Sequence, residues 1–217
     1  MTFDIARILG YVPALLDGAK YTVLVSLVAI ALASALGLAL ALLGRSRFRV
    51  ARWFVRAYVE AFRAVPELVQ IYVWYYLLAQ YGLVLDPLVA GVIALGVAFS
   101  PFISEVFRAG IETVDPSQWE AAQVLGMGRL VMWSRVLLPQ AFRIIMPLWI
   151  GYFISMFKDT SLLSFIAVPE LFESAQQIGA QNFRYFELFA LVLVMYVAMV
   201  YPMAAALHWL ERSWKIA

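Results

Sequence analysis

Cysteine is absent from the 217 residues, and histidine occurs once, at His208. Disulfide bonds and thiolate metal sites are therefore excluded, and a lone imidazole does not make a histidine-rich metal centre. Charge is scarce as well. Asp, Glu, Lys and Arg together make up 14% of the chain, and the formal net charge is only +2. That balance leaves no basic footprint of the size a nucleic-acid surface needs. The dipeptide Gly-Lys never occurs, so the chain has no phosphate-binding loop of the GxxxxGK[ST] kind. No catalytic site is expected in this chain, and any ATP chemistry belongs to another one.

Apolar residues fill the space that charge leaves. They make up 65% of the chain, and the mean hydropathy is +0.86. A soluble domain sits near half apolar. The excess comes in long blocks: residues 21–43, 68–85 and 87–104 carry no charge, and residues 188–210 carry no ionisable group but His208. A helix crossing the hydrocarbon layer needs roughly 20 such residues. None of the blocks alternates as a barrel strand does. An all-α membrane protein of about five transmembrane helices is expected, with spans near 21–43, 55–80, 87–109, 136–157 and 186–210. Residues 3–16 read as an interfacial amphipathic helix. Residues 2–20 contain Asp4, Asp17 and a single arginine, unlike a signal peptide, so the N-terminus is expected to be retained. Residues 158–184 are the least defined, with a re-entrant segment or a short gating helix as the alternatives.

Lys and Arg are retained on the cytoplasmic side of a membrane. Arg45, Arg47, Arg49, Arg52 and Arg56 crowd the first loop; Arg108, Arg129, Arg135 and Arg143 surround the loop after the third span; Arg212 and Lys215 end the chain. With five spans, this places the N-terminus outside and the C-terminus in the cytoplasm. One membrane domain covering 1–217 is expected, with no soluble domain attached.

The loop after the third span reads Asp115-Pro-Ser-Gln-Trp-Glu-Ala-Ala-Gln-Val-Leu-Gly126. Ser117 and Glu120 have the spacing of a capping box, and Gly126 suits the left-handed residue that closes a helix. A helix over 117–125 is expected, then a second over 129–138, with Pro139 breaking or bending the chain as it re-enters the membrane. Ala121 and Ala122 lack bulk, which allows another surface to approach the backbone closely. The spacing of Glu120-Ala121-Ala122, Gly126 and Val136-x-Leu138-Pro139 resembles the EAA loop of ATP-binding cassette (ABC) importer permeases, with Val136 in place of Ile. The resemblance implies that the loop, about 115–139, holds a coupling helix that docks on an ATPase subunit. Gln118, Glu120, Ala121, Ala122, Gly126, Leu138 and Pro139 are the residues that match.

Other segments are similar to the polar amino acid branch of that family (histidine, glutamine, arginine and glutamate permeases). These are Glu60 to Gln70, Glu105 to Ile111, Lys158-Asp159-Thr160-Ser161-Leu162, and Glu170-Leu171. Ala64 and Val65 depart from the branch's Gly-Thr before Pro66, Glu67 stands where Leu is common, and Ser117 replaces a Gly. The resemblance implies an inner-membrane permease that moves a polar amino acid from periplasm to cytoplasm by alternating access. Implied partners are two ABC ATPase subunits holding ATP and Mg, a second identical or similar permease subunit, and a periplasmic substrate-binding protein. No cofactor is expected on this chain. The same machinery serving another small zwitterion, an opine or an ectoine-like solute, is the alternative. An ion-coupled secondary transporter would need an inverted repeat, and the sequence shows none.

Ionisable groups inside a span cost several kcal/mol unless they face a partner or a wet cavity (about 2.5 to 3.5 by insertion scales). Arg56, Glu60, Arg63 and Glu67 are spaced three or four apart and are expected to pair along one helix face. Glu67 is open between pairing and lining the pathway. Lys158 and Asp159 offer both charges a zwitterion needs, or else form a structural salt bridge. Thr160, Ser161 and Glu105 complete the candidate pathway set. The aromatic cluster Tyr72, Trp74, Tyr75 and Tyr76 reads as an interface belt.

Overall fold

Proline decides where this chain can and cannot stay helical. The computed structural model describes residues 5–214, so Phe3, Asp4 and Lys215 lie outside it. Among the described residues there are helices and turns but no strand. Among the described residues, four helices are long and apolar enough to cross a bilayer: Leu9–Gly44, Pro87–Glu112, Arg129–Ile166 and Tyr185–Ser213.

The first helix, α1 (Ile5–Gly44), is continuous. The expected division into an interfacial helix and a separate span is not found. Gly18, the one helix-weakening residue between 16 and 21, is held by close packing on Glu170 and Leu171, Asp17 and Lys20 neutralise one another at 2.6 Å, and Leu15 and Ala19 are buried against later helices. Forty residues at 1.5 Å each make a rod of about 60 Å, twice the hydrocarbon thickness.

The second expected span, 55–80, is broken. Helix α2 (Arg49–Ala64) ends before Pro66, and α3 (Glu67–Tyr72) starts after it, running through a π-helical turn (Val73–Leu77) into α4 (Leu78–Gln80). Pro66 has no N–H and cannot bond the carbonyl one turn back. The side chain of Gln70 fills that gap: its Nε2 donates to the carbonyls of Phe62 and Val65, both at 2.9 Å. The break also removes the register that would pair Arg63 with Glu67. None of Arg56, Glu60, Arg63 and Glu67 forms an ion pair with another of the four; Arg63 lies instead over the Phe102 ring, 5.3 Å from its centre. Trp74 and Tyr75 pack on the core, while Tyr72 and Tyr76 are exposed.

Helix α5 (Pro87–Glu112) starts where expected, with Asp86 capping the Leu88 N–H at 2.9 Å. Its internal Pro101 strips the Val97 carbonyl of its helical donor. Ser100 Oγ donates to that oxygen at 2.9 Å and Tyr58 OH approaches at 3.5 Å, so α2 is tied to α5 at the defect.

Contacts fix the relative directions of the long helices. Leu32 of α1 lies against Gly96 of α5, and Gly37 against Ile103, so the two helices run parallel. Helix α8 (Leu138–Asp159) runs antiparallel to α5, with Ile145 at Gly110 and the following Leu163 at Gly91. Helix α10 (Tyr185–Ser213) reverses again, with Tyr196 against Phe157 and Trp214 against Phe142. Two parallel helices joined in sequence require a return path, and α2 to α4 supply it. Val55 sits at the Gly44 end of α1, whereas Tyr72 lies against Phe165 at the opposite end.

The undefined stretch 158–184 resolves into a 3₁₀ segment (Thr160–Ile166) and a helix, α9 (Leu171–Asn182), each closed by a left-handed residue, Ala167 and Phe183, both at φ 58°. The main core joins Val25, Ala29, Ala33, Ala94, Ala98 and Ile103 with Leu163 and Ile166. Small residues on α1 and α5 let the two backbones approach closely, as packing in lipid favours.

Candidate functional site

The loop helix α6 (Pro116–Val124) begins one residue earlier than the capping-box reading expects. Asp115, not Ser117, is its cap: the Asp115 carboxylate accepts from the Ser117 N–H at 2.8 Å. Pro116 presets the first helical residue, which hands the free donors to Asp115. That backbone hydrogen bond holds the Asp115 carboxyl below its ordinary value. At the other end Gly126 has φ 68°, with its N–H on the Gln123 carbonyl at 2.9 Å and the Met127 N–H on Ala122 at 3.0 Å. This is the Schellman closure expected of a glycine there.

The two alanines do not share a role. Successive helical residues point about 100° apart, and Ala122 turns inward against Val114, Met132, Leu137 and Ala141. Trp119 joins it, edge-on to Trp133 with ring centres 5.2 Å apart. Ala121, Gln118 and Glu120 face outward. The expectation that both alanines admit a partner is therefore corrected to Ala121 alone. The outward face also carries Val124 (88% exposed), Leu125 and, beyond the turn, Leu130. Sequence reasoning passed over these three; their signal was apolar bulk in an otherwise polar loop.

Pro139 does not interrupt the chain. Helix α7 (Arg129–Met132) passes through a π-helical turn (Trp133–Leu137) directly into α8, and the Leu138 N–H reaches back five residues to the Trp133 carbonyl. The wider turn takes up the irregularity that a proline imposes on an α-helical ladder. Leu138 and Pro139 are exposed on this rod. The loop thus packs, through Trp119 and Ala122, on the base of a continuous helical rod. Its far end, 22 residues or about 33 Å along α8, carries Lys158 and Asp159.

At that far end Lys158 is exposed and Asp159 half-buried. They do not form an ion pair. Glu67, in the first turn of α3, lies close enough for its charge to act on Asp159, as does Lys158. Glu67 and Lys158 thus lie within electrostatic range of Asp159, with no hydrogen bond or ion pair joining the three side chains. Thr160 is fully buried and donates its hydroxyl to the Phe157 carbonyl at 2.8 Å, so it faces protein rather than a pathway. Ser161 is partly exposed and donates to the Lys158 carbonyl at 2.9 Å. Glu105 does not join the cluster. It lies 14 residues beyond the Gly91–Leu163 contact, about 21 Å down α5, where it chelates Arg108. That arginine also holds Glu112 at 2.6 Å, and Glu112 lies 4.0 Å from Arg45 of α1.

A second carboxylate turns out to matter. Glu170 is completely buried at the head of α9, in the connection between the long helices. Its oxygens accept from the N–H groups of Phe172 (2.9 Å) and Glu173 (2.7 Å), from Tyr196 OH of α10 (3.3 Å) and from Thr22 of α1 at a long 3.5 Å. The Thr22 oxygen in turn accepts from the Leu171 N–H at 3.1 Å. Burial pushes the Glu170 carboxyl up to about 7, against the pull of the backbone donors. One side chain thus fastens α1, α9 and α10. In the sequence Glu170 stood out only as part of the Glu170-Leu171 pair; its partner Thr22 is 148 residues away.

Comparison with known proteins agrees with this geometry. Residues 15–216 match the family described as the binding-protein-dependent transport system inner membrane component. The L-cystine transport system permease protein TcyB of Bacillus subtilis (strain 168) is 38% identical over 198 residues, which are 91% of this chain and 80% of that protein. The glutamate/aspartate import permease protein GltK of Escherichia coli O6:H1 is 34% identical over 189 residues, covering 83% of this chain and 84% of that one. Among solved structures, a chain from the crystal structure of an amino acid ABC transporter with histidines superposes with a TM-score of 0.90 at 32% identity, covering 98% of this chain and all of that one. The match over residues 15–216 and the superposition along nearly the whole length show that this chain belongs to the family of binding-protein-dependent transport system inner membrane components.

Proposed function

We propose that the chain is the membrane-spanning subunit of an ATP-driven importer for a polar amino acid, crossing the inner membrane five times with its N-terminus outside. The broken segment from α2 to α4 makes the second crossing, which the parallel packing of α1 and α5 supports. ATP and Mg are held by ATPase subunits of the ABC type, and Ala121, Gln118, Glu120, Val124 and Leu125 form the surface on which such a subunit docks. A second permease subunit and a periplasmic binding protein complete the assembly. Closure of the ATPases moves α6. Because α6 is packed on the base of the rod, α8 moves with it and shifts Lys158 and Asp159 relative to Glu67 on α3. The substrate ammonium finds Asp159, and its carboxylate finds Lys158.

The observation that carries this reading is the unbroken rod from Arg129 to Ile166, with an exposed docking helix at one end and unpaired charges at the other. Replacing Ala121 by Trp adds bulk on the exposed face. The variant is expected to reach the membrane in normal yield and to lose ATP-driven uptake in the assembled transporter. Ala122→Trp, forced into the small core under the loop, is expected to lower the yield instead. Wild-type uptake by the Ala121 variant would overturn the docking assignment.

A further inference from the structure

Between Asp17 and Glu60 the sequence has no acidic residue, and five arginines fall within residues 45–56. The fold treats them unequally. Arg45 lies 4.0 Å from Glu112, Arg47 lies over the Phe48 ring at 5.0 Å, and Arg52 donates to the Ser46 carbonyl at 2.8 Å. Arg49 and Arg56 are exposed, and their side chains have no ion-pair or hydrogen-bond partner among the described residues.

Those two residues are seven apart on α2, two turns along the same face. Beside them runs a second exposed strip of Val50, Trp53, Phe54 and Ala57, while Val55 and Val59 are buried on the opposite side against the rest of the protein. Trp53 is 69% exposed and Phe54 53%. Helix α2 therefore shows the outside a basic strip and an aromatic strip side by side. Glu60 closes the basic strip at its far end.

We propose that this face of α2 binds the headgroup of an anionic phospholipid, with the acyl chain laid against Trp53 and Phe54. A guanidinium matches a phosphate with two parallel hydrogen bonds, and Arg49 and Arg56 are free to make them. A zwitterionic headgroup brings its own ammonium, which Arg49 and Arg56 repel; the one carboxylate on this strip, Glu60, stands beyond Arg56 and forms no ion pair with it. The aromatic strip argues for a lipid over a soluble polyanion or an acidic protein surface, because Trp at the membrane boundary is stabilised with one side in hydrocarbon and the other wet. The proposal is independent of the transport reading.

The absence of native cysteine permits a site-specific test on the full chain. Ala57→Cys is labelled with bimane and the protein is reconstituted in phosphatidylcholine vesicles. These carry a nitroxide acyl chain on either phosphatidylglycerol or phosphatidylcholine. Each arginine at an anionic surface contributes a factor of about five in association. Phosphatidylglycerol is therefore expected to quench the label at a mole fraction about tenfold lower or more. The preference should shrink in 1 M NaCl, where the Debye length falls to about 3 Å. Arg49→Gln with Arg56→Gln should abolish it, while Arg129→Gln with Arg135→Gln, on the other loop, should leave it intact. Equal quenching by the two lipids, or full preference in the Arg49/Arg56 double variant, would overturn the proposal. Inorganic phosphate at ionic strength matched to NaCl is expected to compete no better than the salt. Stronger competition would mean a site for free phosphate and would equally overturn the lipid assignment.

Discussion

Replacing Glu170 by Gln should flatten a pH dependence of stability that the buried carboxyl builds into the fold. Burial raises this group from 4.5 to about 7, and each pH unit corresponds to about 1.4 kcal/mol. The ionised form is therefore disfavoured by roughly 3 kcal/mol in the folded protein. For a raised carboxyl the native state holds its proton more tightly than the unfolded chain. Its contribution is fully present below pH 4.5 and is lost as pH rises through about 7. In a chain of this length 1 kcal/mol moves the Tm by about 2 to 4 °C, so Glu170 should account for a fall of about 6 to 12 °C between pH 5 and pH 9. The amide keeps one acceptor oxygen but turns a nitrogen toward groups that now donate to Glu170, which costs about 1 kcal/mol. The two melting curves should therefore cross: wild type is more stable at pH 5 and the variant more stable at pH 9. Thermal unfolding of both proteins in the same detergent, followed by tryptophan fluorescence across that range, is the measurement. A difference between them that stays constant with pH would refute the reasoning.

Topology is testable with single cysteines. Ser46→Cys and Ser117→Cys should be shielded from an impermeant thiol reagent in intact cells while Gln181→Cys reacts, and labelling at position 117 from outside would overturn the five-crossing arrangement. For Asp159→Asn, loss of a charge-assisted hydrogen bond worth about 1.5 to 3 kcal/mol should weaken substrate stimulation of the ATPase on the order of 10- to 100-fold, with the assembly intact. A collapse in yield that Lys158→Met restores would instead assign Asp159 a structural role.

What the sequence made legible was set locally. The apolar block opening at Pro87 marks the start of α5, and Gly126 marks the turn after α6, because each answers a need of the backbone within one turn. Neighbours far along the chain were not readable. Nothing near residues 16–21 announces that Leu15 and Ala19 are held by α9 and α10, so one rod was read as two helices. Pro66 was visible, but the span was drawn straight through it; the compensating amide of Gln70 shows why the chain can break there and still be satisfied. Ala121 and Ala122 are indistinguishable as letters, and only the packing of Trp119 on Trp133 says which of them turns inward. In the pathway set, Glu67 and Asp159 come within electrostatic range because α3 packs on the 3₁₀ segment that follows α8. Glu105 drops out because its depth along α5 places it beside Arg108.

The second crossing proposed for α2 to α4 has a consequence for how the protein is made. Helices α1, α5, α8 and α10 are apolar enough to enter a bilayer on their own account, but α2, with its arginines and Glu60, is not. If α2 to α4 stayed behind during synthesis, α5 would enter the wrong way round and every later segment would be inverted. The arginines of the loop after α5 would then have to be exported. The basic residues at Arg45 to Arg56 and at Arg108 to Arg143 thus work from both sides of the weak segment, and each cluster opposes the inverted product. On the proposed topology, the charged first half of this stretch depends on its neighbours for insertion, while residues 68–85 carry no charge of their own. Removal of arginines from either loop would surface first as misoriented chains, before any loss of transport by correctly inserted ones.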